Sequence, residues 1–241
     1  MVYVYGVVRS RALGSLPVEG IAGGSVELVE DDGLAAVATR LPPGRLRVRR
    51  RELSRHLGVL QEAFEQTTVV PCGFGLALES KDAVRHELLR PRRDQLLADL
   101  RRLDGRSQIN VKTSYDEEAV LRDIVTGEPE IARLRQATAR AGAAAYYDNI
   151  RLGELVTAAL AARRAHDAQR VYDRLAAEAE AAVVEEARDL LILKASFLVE
   201  DQRRGRFEAG LEKLADENAP LLRFEEVGPL PPTAFVTPHE G

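Results

Sequence analysis

The sequence predicts an α+β fold in two domains. An N-terminal α+β sheet-and-helix domain spans 1–105, and a C-terminal ferredoxin-like domain with a long helical segment spans 106–227. A proline-rich tail, 228–241, follows. Three observations carry this reading. The first hundred residues or so run from short β-branched segments and turn residues into helical periodicity. Asp104 and Gly105 mark a change of composition. Beyond them, the stretch from Pro129 to about Arg188 holds no proline after its first residue and is dominated by Ala, Leu, Arg and Glu, the composition of helices.

Val2 to Val8 is β-branched and aromatic and reads as a strand. Gly14 to Gly24 carries one proline and four glycines, so the chain leaves the sheet there. Ser25 to Glu30 and Leu34 to Arg40 flank Asp31, Asp32 and Gly33, a hairpin signal that Pro42, Pro43 and Gly44 close. From Leu46 the period becomes helical, with Leu53, Leu57, Leu60 and Phe64 on one face, expected to cover the sheet. Thr67 to Val70 reads as a strand entering a turn at Cys72, Gly73, Phe74 and Gly75. Ser80 is an N-cap candidate for a helix that Pro91 interrupts and that resumes through Leu96, Leu97, Leu100 and Leu103.

In the second half, Ile109 to Tyr115 reads as a strand and Asp116 to Val125 as a helix with acidic residues at its start. The Pro129 to Arg188 stretch would span roughly 90 Å as one rod at 1.5 Å per residue. A compact domain is far narrower, which predicts a break or an antiparallel helix pair, near Gly142 or His166. Its apolar face runs through Leu152, Leu155, Val156, Ala159 and Leu160 and resumes at Val171, Leu175, Ala179, Ala182 and Val183. Leu190 to Val199 reads as a strand, Arg203 to Glu217 as a helix and Leu221 to Val227 as a strand, an order like half of a ferredoxin-like unit. The prolines from Pro229 to Pro238 predict an extended tail that joins no sheet. Phe235 is expected to anchor it between the domains.

A formal net charge of -4 and a pI near 5.7 give no long-range attraction for phosphate backbones or anionic lipid, so neither nucleic acid nor membrane is an expected partner. The start of the sequence reads as a strand without a basic leader. One cysteine, Cys72, permits no intramolecular disulfide, and a cytoplasmic location is expected.

Cys72 is the sharpest catalytic candidate, with His56 or His86 as base. No base lies near it in sequence, so it is expected to be structural. The histidines, His56, His86, His166 and His239, show no metal-ligand spacing and read as surface or helix-flank residues. Gly73, Phe74 and Gly75 lack the third glycine and the lysine of a phosphate loop. Arg45, Arg47, Arg49, Arg50 and Arg51 read as a solvated helix start, with contact to an acidic partner as the alternative. The expectation is therefore no catalytic, cofactor or metal residues, with the partner-binding residues left open.

Several segments in order resemble the gas vesicle protein F/L family (GvpF/GvpL): Tyr3 to Val7; His56 to Gly75 with its Val-x-Pro-x-x-Phe-Gly turn; Val111 to Glu118; Ser196 to Glu200; and the Gly228 to Val236 tail. Cys72 and Gly73 replace the family's Val-Arg in the turn, and Thr233 and Ala234 replace its Tyr-Ser in the tail. The resemblance implies an α+β N-terminal domain, a ferredoxin-like C-terminal domain and no enzymatic role. It further implies an accessory protein of gas vesicle formation, vesicle-associated, that binds the small hydrophobic shell subunit and other accessory proteins and assists nucleation or assembly. A protein-binding module on the same fold in unrelated biology is the alternative.

Overall fold

The computed structural model describes residues 1–42, 49–141 and 146–236. The chain forms two compact units. The first holds Met1–Ile109, Glu200–Gln202 and Gly228–Gly241, and the second holds Asn110–Val199 and Arg203–Val227.

The first unit is built on a sheet of β1 (Val2–Arg9), β2 (Val26–Asp31), β3 (Leu34–Arg40), β4 (Val70–Pro71) and β5 (Ala77–Leu78). The order is β2-β3-β1-β4, with β5 also on β1. The β2–β3 hairpin forms as its turn chemistry predicts. Asp32 and Gly33 take φ of 39° and 84°, the positive values that a tight hairpin turn requires. In β1 the register against β3 shifts between Val4 and Gly6, which makes Tyr5 the extra residue of a bulge. The shift changes parity, so Tyr3, Tyr5 and Val8 share one core cluster.

Helix α1 (Arg50–Gln66) contributes Val59, Leu60 and Ala63 to that cluster. On the other side, α2 (Lys81–Ala83) opens with Ser80 Oγ accepting from the Ala83 amide at 3.0 Å, as expected of the cap. A π-helical turn, Val84–Leu89, and α3 (Arg93–Arg102) follow, burying Val84, Leu88, Leu89, Leu96 and Leu100. With helices contacting β1 and β3 in this way, β1 is buried along seven of its eight residues.

One expectation fails in α1. The buried face is Glu52, His56, Val59, Leu60 and Ala63, whereas Leu53 and Leu57 are 43% and 48% exposed. Residues 52, 56, 59, 60 and 63 satisfy the same i, i+4, i+7 spacing as the leucines, and their polar members have partners inside.

A second sheet, most of whose residues belong to the second unit, consists of β6 (Arg106–Tyr115), β7 (Ala181–Glu185), β8 (Leu191–Glu200) and β9 (Leu222–Leu230), in the order β7-β8-β6-β9. Between β6 and β7 lie α4 (Glu117–Gly127), α5 (Pro129–Ala141) and α6 (Tyr146–Ala176); between β8 and β9 lies α7 (Arg204–Asn218). Asp116 caps α4 by accepting from the Ala119 amide at 2.9 Å. That amide bond, aided by Arg223, holds the Asp116 carboxyl below its ordinary pKa. Phe197 of β8 packs on Phe207 of α7 at 5.3 Å and on Tyr172 of α6 at 6.3 Å.

The helical stretch is divided, as expected, into two helices in contact, α5 and α6, with α6 unbroken through His166 and residues 142–145 outside the described residues. The stretch departs from its reading at its end: α6 stops at Ala176 and Ala181–Glu185 form β7, because pairing with β8 outweighs alanine's helix preference at an Ala-Ala-Val-Val edge.

The tail is a third correction. β9 continues through Gly228 and Pro229 to Leu230, and Thr233–Phe235 forms a 3-10 turn. Proline is tolerated because β9 is the sheet's edge. A Cβ on Gly228 would sit 3.2 Å from the Gln108 carbonyl oxygen. Arg102 donates to the Phe235 carbonyl at 2.7 Å and the Ala234 amide donates to Gln108 Oε1 at 2.9 Å. Pro231 and Pro232 are buried and Phe235 is half-buried. Pro238 lies outside the described residues.

Candidate functional site

A group of titratable side chains lies under α1 in the first unit. The Gly75 amide donates to the Tyr3 hydroxyl at 3.0 Å, and that hydroxyl lies 2.9 Å from His56 Nδ1. Tyr5 donates to Thr39 Oγ1 at 2.9 Å and accepts from the Ile21 amide at 2.7 Å. Glu52 Oε2 accepts from the Ala22 amide at 2.9 Å. The His56 ring lies 5.7 Å from the Tyr3 ring and 5.5 Å from that of Phe74.

The cluster's electrostatics follow from burial. Desolvation lowers the His56 pKa to about 4, against a main-chain hydrogen bond with Cys72 that favours the charged ring. Desolvation raises Tyr3 to about 12 and also raises Tyr5. Glu52 is held below the usual carboxylate range, first by the Ala22 amide and then by Arg51 and Arg55.

The structure thus brings His56 to the Cys72 main chain, a proximity that sequence distance concealed, and His56 is core rather than surface. The pair is tuned away from nucleophilic chemistry. Burial pushes the Cys72 thiol up to about 12 while the imidazole is pushed down, whereas a thiolate–imidazolium pair needs a lowered thiol. His86 is exposed and lies against Arg90, and His166 is exposed on α6, as expected of surface histidines. His239 lies outside the described residues.

Among the described residues no group of His, Cys, Asp or Glu is arranged to hold a metal ion. The Gly75 amide, which a phosphate loop would present to its ligand, is occupied by Tyr3. Of the basic run, Arg49, Arg50 and Arg51 are exposed at the start of α1, and Arg45 and Arg47 lie outside the described residues. Among the described residues no helix is long and apolar enough to cross a membrane.

A second polar cluster, invisible to motif reading, ties the second unit together. Tyr115 donates to Asp167 Oδ2 at 2.8 Å, and Asp167 also pairs with Arg170 at 3.1 Å and Arg163 at 3.5 Å. Arg170 donates to Asn218 Oδ1 at 2.6 Å, linking α6 to α7. Burial and the neighbouring carboxylate raise the Tyr115 pKa. Its only sequence signal is a tyrosine at the end of a strand and an aspartate on a long helix.

The first cluster is buried, and the second joins a buried Tyr115–Asp167 pair to the partly exposed Arg163 and Arg170. The fold is mixed helix and sheet, and both clusters bond separate segments of the chain to one another. Solved structures of this shape exist. The crystal structure of the gas vesicle protein GvpF from an Anabaena species superposes with a TM-score of 0.82 at 22% identity, covering 97% of each chain. That from Microcystis aeruginosa gives 0.75 at 23% identity, covering 97% of this chain and 98% of the other. The sequence carries the likeness further. Gas vesicle protein F of a Streptomyces species is 37% identical over 97% of this chain and 98% of that protein. The chain belongs to the gas vesicle synthesis protein GvpL/GvpF family, whose model matches residues 1–237, and its role lies in gas vesicle formation.

Proposed function

We propose that the chain is an accessory factor that binds the small hydrophobic shell subunit and assists nucleation or assembly of the shell, without a catalytic role of its own. The observation that carries this reading is the family match across residues 1–237, which spans both units. Physical chemistry supplies the reason such a factor is needed. A wall that excludes water from its gas face requires subunits with apolar, strand-forming surfaces, and these are aggregation hazards before assembly. A partner that covers them keeps the subunit available for ordered growth. We also read the second unit as ferredoxin-like, supported by its β-α-β-β-α-β element sequence and the strand order β9-β6-β8-β7.

The test is co-expression of the shell subunit with the tagged full-length chain. The expected result is a larger soluble fraction of shell subunit that co-purifies with the tag and is lost when the tagged chain is replaced by an unrelated protein. Shell subunit that stays insoluble and absent from the eluate would overturn the proposal.

A further inference from the structure

The helices of the second unit leave an apolar groove open. α4 packs on α5 and α6, and a groove of about 430 Å³ lies among the three. Leu121 and Val125 of α4 form one wall, and Leu152 and Val156 of α6 the other. Leu121 is 37% exposed, so part of its side chain faces solvent. Glu118, Arg122 and Arg135 complete the lining. Glu118 and Arg122 neutralise each other across one helical turn. Arg135 is exposed and has no carboxylate partner among the described residues. The rim is therefore net positive, on a chain whose formal net charge is -4.

We propose that this groove receives an acidic amphipathic helix of a partner protein, with two aliphatic side chains one turn apart entering between α4 and α6 and a carboxylate reaching Arg135. The inference rests on the binding role proposed above and deepens it by naming the surface and the chemistry of the segment bound. A trough walled by two helices matches the stripe of an incoming helix, whose side chains repeat at i and i+4. One unpaired guanidinium at the edge fixes the sign of the partner, since a cation there steers carboxylates in and lysines out. An anionic membrane is the weaker fit, because the chain's overall negative charge opposes it.

The test uses the full chain and a capped, alanine-rich helical peptide with two leucines one turn apart and a glutamate one turn further on, beside a twin with lysine in place of glutamate. Binding is measured by calorimetry. The glutamate peptide is expected to bind and the lysine twin to bind about tenfold more weakly. Arg135→Glu, at an exposed and unpaired position, is expected to leave the melting temperature unchanged and to reverse the preference. Leu121→Gln is expected to weaken both peptides. Equal affinity for the two peptides, or a preference that Arg135→Glu does not alter, would overturn the inference. So would Arg135-dependent flotation with anionic phospholipid vesicles without peptide binding. Shell-subunit capture is read separately: peptide discrimination without shell capture supports the groove and removes the shell reading, and shell capture without discrimination does the reverse.

Discussion

Acidification should destabilise this protein through His56 in a way that a single substitution can isolate. The ring is 3% exposed and its pKa falls from 6.5 to about 4 on folding, so the folded state favours the neutral ring. The stabilisation is fully present above the unfolded value near 6.5, because there both states are neutral. As pH falls below 6.5 the unfolded chain takes up a proton that the folded chain refuses, and stability declines until the folded value near 4 is reached. At 1.36 kcal/mol per pH unit the loss amounts to about 3 kcal/mol by about pH 4. A small protein's whole stability is roughly 5–15 kcal/mol. His56→Gln retains one amide acceptor and one donor but does not titrate. Urea unfolding of both proteins from pH 7.5 down to about 4 cancels every other titrating group in the difference. The wild type should lose about 3 kcal/mol more than the variant across that range. Parallel stability curves would refute the assignment of His56 as a buried neutral group.

Three other outcomes follow from the same geometry. Cys72→Ala should preserve shell-subunit capture and cost at most about 3 kcal/mol, and the native thiol should resist alkylation at pH 8 until urea unfolds the chain; rapid native alkylation would contradict its burial. Tyr115→Phe should cost about 1.5 kcal/mol by losing the bond to Asp167, and Asp167→Ala about 2 kcal/mol because Arg163 and Arg170 remain partly solvated, both read by urea unfolding. Gly20→Ala should destabilise by about 2 kcal/mol or more in thermal melts, since its Cβ would lie 2.3 Å from Thr39 Oγ1 and 2.4 Å from the Tyr5 hydroxyl.

Local chemistry was legible wherever a residue's own preference decides the outcome. Asp32 and Gly33 announce the hairpin because few residues accept positive φ, and Ser80 and Asp116 announce helix starts because their side chains reach the first amides. What the sequence concealed depends on distant partners. Leucines outrank Glu52 and His56 on any hydrophobicity scale, yet the latter are inside because Ala22, Tyr3 and Cys72 meet them there. Composition alone assigns β7 to a helix, because the strand preference of Ala181 and Ala182 arises only when β8 pairs with them. Proline content alone excludes the tail from the sheet, because the edge position that removes the objection to proline is a property of the whole sheet.

The buried polar groups of the first unit share a cause. Ile21 and Ala22 lie in the segment between β1 and β2, and Gly75 in the segment between β4 and β5. Neither segment is a strand or an α-helix at those residues, so their amides have no ladder to join. Tyr5 meets Ile21, Glu52 meets Ala22 and Tyr3 meets Gly75. An apolar side chain in any of the three places would leave an amide without its partner, a larger loss than the hydrogen bond itself contributes. The glycines nearby serve the same end, since Gly20 admits the Tyr5 and Thr39 hydroxyls where no Cβ would fit. Tyr3, Tyr5 and Glu52, polar groups inside the core, are therefore accounted for by the course of these two segments. Arg135 and the aliphatic side chains beside it take no part in this bonding.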